Sequence, residues 1–274
     1  LGDLVSGRKT AFFALTEPNV GSDASNVETR ARRDGDGWRL NGRKLYISNG
    51  TGADLGVVFA RSGDGERAEV SAFVVEAGTA GFSTREVRSM GMNSCPLGEL
   101  LFEDVLLPAD HLIGAEGEAF AIAKHYLNVG RCFVSFTCLG LSIAAYEAAL
   151  RYAGAREQFG RKIGGFQLVQ QMIADMLTGV ETSRLLACRA ADALDRGAPD
   201  RGRACSMAKR HNSDTALRVC ETALQVHGGA GYTRDFPVER YYRDVRHLTI
   251  AEGTNQLQAL LLAQGALGIS ALRG

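Results

Sequence analysis

An α+β multidomain fold, an antiparallel β-sandwich or barrel domain followed by an antiparallel four-helix bundle, is what this 274-residue sequence predicts, and two observations carry the reading. From about Thr10 to Glu116, short Val/Leu/Phe runs alternate with Gly, Asp and Asn clusters, the pattern of strands joined by turns. After Gly117 the apolar spacing becomes helical and is sustained over many turns, with small residues that let helices approach closely. The expected domains are therefore residues 10–117 and 118–274.

Taken in order, the apolar run Ala11 to Ala14 opens the first half. Trp38 to Ile47 reads as a hairpin, because its Asn41-Gly42 dipeptide suits the φ > 0 positions of a type I′ turn. Leu55 to Ala60, Ser71 to Glu76 and Glu99 to Leu106 follow as strands. In the second half, Phe120, Ala123, Lys124 and Leu127 lead into an apolar helix continuing from Leu139 to Arg151. Gln167 to Leu194 gives the next, with Val169, Met172, Ile173, Met176, Leu177 and Val180 on one stripe; such a stripe is more often core than site, so these are assigned to packing. Gly197-Ala198-Pro199-Asp200 breaks the pattern. Arg203 to Val226 supplies a third helix and Gln256 to Leu267 a fourth, and the short Gly/Pro loops between them imply antiparallel neighbours.

Composition narrows the class. Thirty-one basic residues balance 31 acidic ones, so nothing in the charge points to nucleic acid or an anionic membrane. The longest apolar segments, such as Phe133 to Ala145, are interrupted by Ser, Thr, Cys or Gly and fall short of a membrane span. Asp3, Arg8 and Lys9 in the opening residues are unlike a signal peptide. The six cysteines (95, 132, 138, 188, 205, 220) contain no C-x-x-C pair, and the five histidines are dispersed, so reduced thiols in a cytoplasmic protein without a metal site are expected.

The chemistry concentrates near the C-terminus. Ala251-Glu252-Gly253-Thr254 puts a lone carboxylate between the apolar stretch Leu248-Thr249-Ile250 and a helix start, surroundings that tune a carboxylate toward the proton affinity of a general base. An ordinary acid at a helix N-terminus, favoured by the macrodipole, is the competing reading. Further segments decide between them: Leu15-Thr16-Glu17-Pro18-Asn19-Val20-Gly21-Ser22-Asp23, Arg156-Glu157-Gln158-Phe159-Gly160-Arg161-Lys162-Ile163 with Phe166-Gln167, Gln225-Val226-His227-Gly228-Gly229-Ala230-Gly231-Tyr232, and Arg243-Asp244. In this order, and over about Phe12 to Gly268, they resemble the acyl-CoA dehydrogenase family of flavoproteins.

The resemblance implies FAD-dependent oxidation of an acyl thioester between its α and β carbons, with Glu252 at the family's commonest base position. In some members the base stands on the first bundle helix, directly before the Arg of Leu127-Asn128-Val129-Gly130-Arg131; here that position is Gly130. For the flavin, the resemblance implies Phe13, Leu15, Thr16 and Ser22, then Tyr46, Ile47 and Ser48 where many members carry a Trp over the ring. Arg156, Gln158, Phe159, Gln167, Gln225, Gly228 and Gly229 match the set that grips the pyrophosphate and adenosine of FAD on a neighbouring subunit, and Thr254 and Gln256 complete the flavin set. Without the family match the Gly228-to-Gly231 run would read as a helix C-cap. Thr254 doubles as an N-cap. For the substrate, Ser22, Asn128, Arg131, Glu252 and Gly253 are implied, with a surface salt bridge as the alternative for Arg131. Ala251, where many members have Tyr, implies a wider mouth.

Family members also carry an N-terminal helical domain, so residues 1–9 would be the linker that follows it. The implied partners are an acyl-CoA or a carrier-protein-bound acyl thioester, an electron-transfer flavoprotein or similar acceptor, and further copies of the chain in a dimer or homotetramer of fatty acid metabolism. Competing readings are a dehydrogenase of carrier-tethered acyl or aminoacyl groups, an oxygen-using acyl-CoA oxidase, and a non-catalytic FAD-binding subunit of a heteromer. The intact Glu252 argues against the last.

Overall fold

The computed structural model describes residues 1–63 and 69–272 and divides into two compact units, Leu1–His125 and Tyr126–Gly274. In the first unit a single helical turn, α1 (Gly2–Val5), stands where a linker was expected. Eight strands follow: β1 (Ala11–Ala14), β2 (Arg30–Asp34), β3 (Gly37–Ser48), β4 (Leu55–Ser62), β5 (Glu69–Glu76), β6 (Phe82–Val87), β7 (Leu97–Leu107) and β8 (Leu112–Ile113). They form one sheet of order β6-β7-β3-β2-β4-β5-β8, with β1 added alongside β4. The pairing of β1 with β4 is parallel, as is the single Arg30–Arg61 pairing of β2 with β4, so the sheet is mixed rather than wholly antiparallel. Among the described residues it does not close into a barrel.

Alternation of buried and exposed positions builds the core of this unit. Phe12, Trp38, Leu40, Val58, Phe73, Leu100 and Phe102 form its buried cluster, with Trp38 and Phe73 edge to face at 5.1 Å. Strands β2 and β6 escape the sequence pattern because Arg30–Asp34 buries only Ala31, and Phe82–Val87 is largely exposed. The expected Asn41-Gly42 turn is also wrong. The chain reverses instead at Gly35-Asp36, bracketed by the Asp34–Gly37 pair, and β3 runs straight through Asn41-Gly42 with a bulge against β7. Asn41 is held there by exchanging hydrogen bonds with Asp104, its Nδ2 donating to Oδ1 at 3.0 Å and its Oδ1 accepting from the Asp104 N–H at 2.9 Å.

The second unit is the bundle. It takes most of α2 (Ala119–Ala155), then a small hairpin of β9 (Glu157–Gln158) and β10 (Arg161–Lys162), α3 (Gln167–Asp195), α4 (Arg201–His227), a short α5 (Val238–Val245) that the sequence pattern did not reveal, and α6 (Asn255–Leu267). By length and composition alone α2 is apolar enough to cross a membrane, contrary to the expectation from its interrupted runs. Its Cys138, Ala145 and Ala149 are core residues of the bundle, packed with Met176, Ala216, Val219 and Ala223. The buried Ser135 and Ser142 hydroxyls of α2 are satisfied by carbonyls of their own helix, at 2.7 and 2.8 Å. On α3, Met176 and Val180 are buried as expected, whereas Leu177 is 43% exposed and drops out of the stripe. Helix α4 is apolar or small on nearly every turn because it runs through the middle of the bundle, with contacts to α3, α5 and α6.

Candidate active site

The turn before α6 carries the site. Glu252 has a left-handed backbone, φ +56°, and Gly253 continues it at φ +86°. A non-glycine residue in that region is uncommon and persists only when its surroundings hold it there. Here four hydrogen bonds hold the two carbonyls. Arg131 Nε donates to the Glu252 carbonyl at 3.3 Å, Gln258 Nε2 donates to the Glu252 and Gly253 carbonyls at 3.2 and 3.1 Å, and Lys209 Nζ donates to the Gly253 carbonyl at 2.9 Å. Thr254 caps α6, its hydroxyl accepting from the Leu257 N–H at 3.2 Å.

The side chain of Glu252 lies against the backbone of α2. A Cβ built on Gly130 would stand 2.7 Å from Glu252 Oε2 and 2.9 Å from Cδ, so the carboxylate occupies the space that any larger residue at 130 would need. Burial raises the Glu252 pKa above the ordinary carboxylate range, while Arg131 and Lys209 offset part of the rise. Arg131 Nη1 also donates to Asn128 Oδ1 at 3.1 Å. Asn128, Arg131, Glu252, Gly253 and Thr254 thus come together, and Arg131 serves the turn rather than a surface ion pair. Gln256 is exposed on the first turn of α6.

A second group lies at the far end of α4, about 24 Å along the helix from Lys209 to Gln225 at 1.5 Å per residue. Tyr152 of α2 stacks on His227 of α4 with centroids 4.3 Å apart, which sets Arg156, just past α2, at the same end of the bundle as Gln225, Gly228 and Gly229. Arg156, Gln158, Phe159 and Gln167 are all exposed there, and Phe159 has φ +53°. Gly228 ends α4 as its C-cap at φ +58°, the reading the glycine run has without the family match. Gly229 has ordinary φ, and a Cβ there would touch nothing within 4 Å, so packing within the chain does not call for glycine; close approach of a ligand such as a pyrophosphate would.

In the first unit, the Leu45 N–H donates to the Thr16 carbonyl at 3.0 Å, which sets Thr16 beside Tyr46, Ile47 and Ser48 on β3. Tyr46 is 57% exposed with φ +60°, and the half-exposed Phe13 rests on the buried Phe59 at 4.9 Å. Leu15 and Ile47 are buried, in separate core clusters, and Ser22 lies in an exposed turn. Phe13 and Tyr46 are thus exposed aromatic side chains, and Thr16 is half-buried. Sequence reasoning missed what stiffens this patch. Lys44 and Glu17 are completely buried and paired at 2.7 Å; Lys44 Nζ also donates to the Leu15 carbonyl at 3.0 Å, and the Glu17 carboxylate accepts from the Thr29 N–H at 2.9 Å and from the Glu28 N–H. Burial brings the Lys44 pKa down to about 8. Burial also works to raise the Glu17 pKa, but Lys44 and the hydrogen bonds to Thr29 and Glu28 outweigh it and leave the carboxyl below its ordinary value.

Among the described residues no cluster of His, Cys, Asp and Glu could hold a metal, and all six cysteines are free.

A buried carboxylate of raised pKa in the helical bundle, exposed aromatic residues on the mixed sheet and a glycine run at a bundle end are features that a flavin-dependent oxidoreductase would use. Residues 12–105 match the acyl-CoA dehydrogenase middle domain and residues 117–267 the C-terminal domain. The chain belongs to the acyl-CoA dehydrogenase family, whose members are FAD-dependent dehydrogenases. It is 41% identical over 268 residues to an acyl-CoA dehydrogenase of Bacillus subtilis, covering 97% of this chain and 70% of that one. It is 38% identical over 266 residues to the caffeyl-CoA reductase-Etf complex subunit CarC of Acetobacterium woodii, covering 96% and 70%. The solved butyryl-CoA dehydrogenase of Megasphaera elsdenii superposes with a TM-score of 0.93 at 39% identity, over 97% of this chain and 70% of that one.

Proposed function

We propose that this chain catalyses α,β-dehydrogenation of an acyl-CoA thioester, with Glu252 as the base that takes the α proton. The observation that carries the reading is the Glu252 carboxylate itself, raised in pKa by burial and set against Gly130 by a turn whose carbonyls are tied down. Bound FAD supplies the acceptor for the β hydride. Tyr46 and Phe13 offer it apolar cover, and Thr16 offers a hydroxyl for its ring edge. At the other end of the bundle, Arg156 supplies charge for the pyrophosphate of an FAD held by a neighbouring copy of the chain, and Gly229 permits its close backbone approach.

At the base, the raised pKa makes Glu252 a stronger proton acceptor than a solvated carboxylate, which is what general-base catalysis needs. Arg131 and Lys209 favour the ionised form before reaction. As the proton arrives on Glu252, negative charge passes to the thioester carbonyl, and hydrogen-bond donors aimed at that oxygen lower the barrier. The Etf-complex relative supports an electron-transfer flavoprotein as the acceptor that reoxidises the cofactor, and the family resemblance supports an assembly of two or four copies.

Glu252→Gln in the full-length, FAD-loaded protein tests the reading. Fold and FAD content survive, because shape is kept, while anaerobic flavin bleaching by acyl-CoA falls by about 10²–10⁴-fold, the range of general-base contributions. Bleaching within tenfold of wild type would place the base elsewhere.

A further inference from the structure

Lys209 is a charged residue that the base chemistry leaves unexplained. It sits in the middle of α4, 0% exposed, and among the described residues it forms no salt bridge. Its ammonium donates to two neutral oxygens instead, the Gly253 carbonyl at 2.9 Å and Asn255 Oδ1 at 2.8 Å. Burying an ammonium whose direct hydrogen-bond partners are neutral is costly compared with a packed apolar side chain. The cost is concentrated on the two residues that flank the cap of α6, and Asn255 is in turn fixed by donating to Ser213 Oγ at 2.8 Å and Asp214 Oδ1 at 2.7 Å. One side chain of α4 thus anchors the exit of the left-handed turn and the first residue of the helix after it.

We infer that Lys209 is a positioning residue for the reaction: its cation clamps the Gly253–Asn255 segment so that the strained turn aims the Glu252 carboxylate at Gly130, and it keeps a positive charge beside that carboxylate. The inference rests on the reading of Glu252 as the base. Glu252 lies within electrostatic reach of Lys209, together with Arg131 from α2 and Asp214 and Cys138 from α4 and α2. Arg131, from α2, holds the Glu252 carbonyl, so the two cations grip successive peptide units. Burial brings the Lys209 pKa down to about 8, so the clamp loosens in mild alkali as the charge-assisted bonds to neutral oxygens weaken.

The test compares Lys209→Met and Lys209→Arg with wild type in the full-length, FAD-loaded protein. It follows anaerobic flavin bleaching by an acyl-CoA between pH 5 and 10 and, separately, infrared titration of the Glu252 carboxyl, identified by its loss in Glu252→Gln. In Lys209→Met the maximal bleaching rate falls about 10–100-fold, the effect of misplacing a reacting group by roughly an ångström. Its acid limb and the infrared titration both move to higher pH, because a cation beside the carboxylate is gone. In Lys209→Arg the acid limb stays near wild type, while the alkaline limb near pH 8 moves upward because guanidinium does not deprotonate in this range. If Lys209→Met does not fold, the Lys209→Arg limbs alone decide the matter. An unmoved alkaline limb in Lys209→Arg, or a Lys209→Met protein with wild-type rate and infrared titration, would overturn the inference. Loss of the base reading shows differently, as bleaching that persists in Glu252→Gln.

Discussion

Gly130→Ala separates the chemistry of this site from its stability more cleanly than removal of the base does. The new Cβ would stand 2.7 Å from Glu252 Oε2, and restoring ordinary contact at 3.4 Å displaces the carboxylate by about 0.7 Å. The turn cannot absorb that displacement freely, because both of its carbonyls are held by Arg131, Gln258 and Lys209. Misplacement of roughly 1 Å costs up to about 10²-fold in rate, so a fall of about 10–100-fold in anaerobic flavin bleaching is expected. Stability moves the other way or not at all: Ala for Gly inside a helix gains about 0.5–1 kcal/mol, and Gly130 lies within α2. Gly140→Ala on the same helix is the control, since a Cβ there meets nothing within 4 Å; it gains the helix propensity and leaves bleaching unchanged. Urea unfolding and stopped-flow bleaching of the two variants read both quantities. Gly130→Ala bleaching within threefold of wild type would show that the carboxylate does not depend on the space at 130, and the reasoning about its placement would fall.

Lys44→Met leaves the Glu17 carboxylate buried without its counter-charge and destabilises the sheet unit by about 3–5 kcal/mol in urea unfolding, whereas adding Glu17→Gln recovers a large part of the loss. The Glu17 pKa lies below its ordinary value, so the stability it contributes is present above the unfolded glutamate value and disappears as the pH falls through the folded one; the double variant shows a flatter acid profile. Unequal acid profiles with the double variant the steeper would contradict this account. Arg156→Ala weakens retention of FAD by about 1.5–3 kcal/mol, the worth of a hydrogen bond to a charged group, while the bleaching rate of the FAD-loaded fraction stays close to wild type; equal FAD affinity in dialysis would return Arg156 to an ordinary solvated helix-end residue.

Local pattern was enough for the parts of this protein whose physics is local. The change of apolar period after Gly117 separates strands from helices, since 2-residue and 3.6-residue repeats are written directly in the sequence. Thr254 is recognisable as a cap, and Glu252 as an acid between an apolar stretch and a helix start, because both depend on neighbours a few residues away. What makes Glu252 more than an acid at a helix end depends on residues far along the chain: Arg131 is 121 positions away, Lys209 holds the next carbonyl from 44 positions away, and Gly130 leaves the space. The Glu17–Lys44 pair, 27 residues apart, is hidden in the same way, because two charged residues in a strand-and-turn sequence look solvated until the sheet buries both. The Asn41-Gly42 dipeptide marks the limit from the other side. Its local preference for a turn is real, but strand pairing moved the reversal to Gly35-Asp36 and turned Asn41-Gly42 into a bulge, since a long ladder with β7 outweighs one favoured turn.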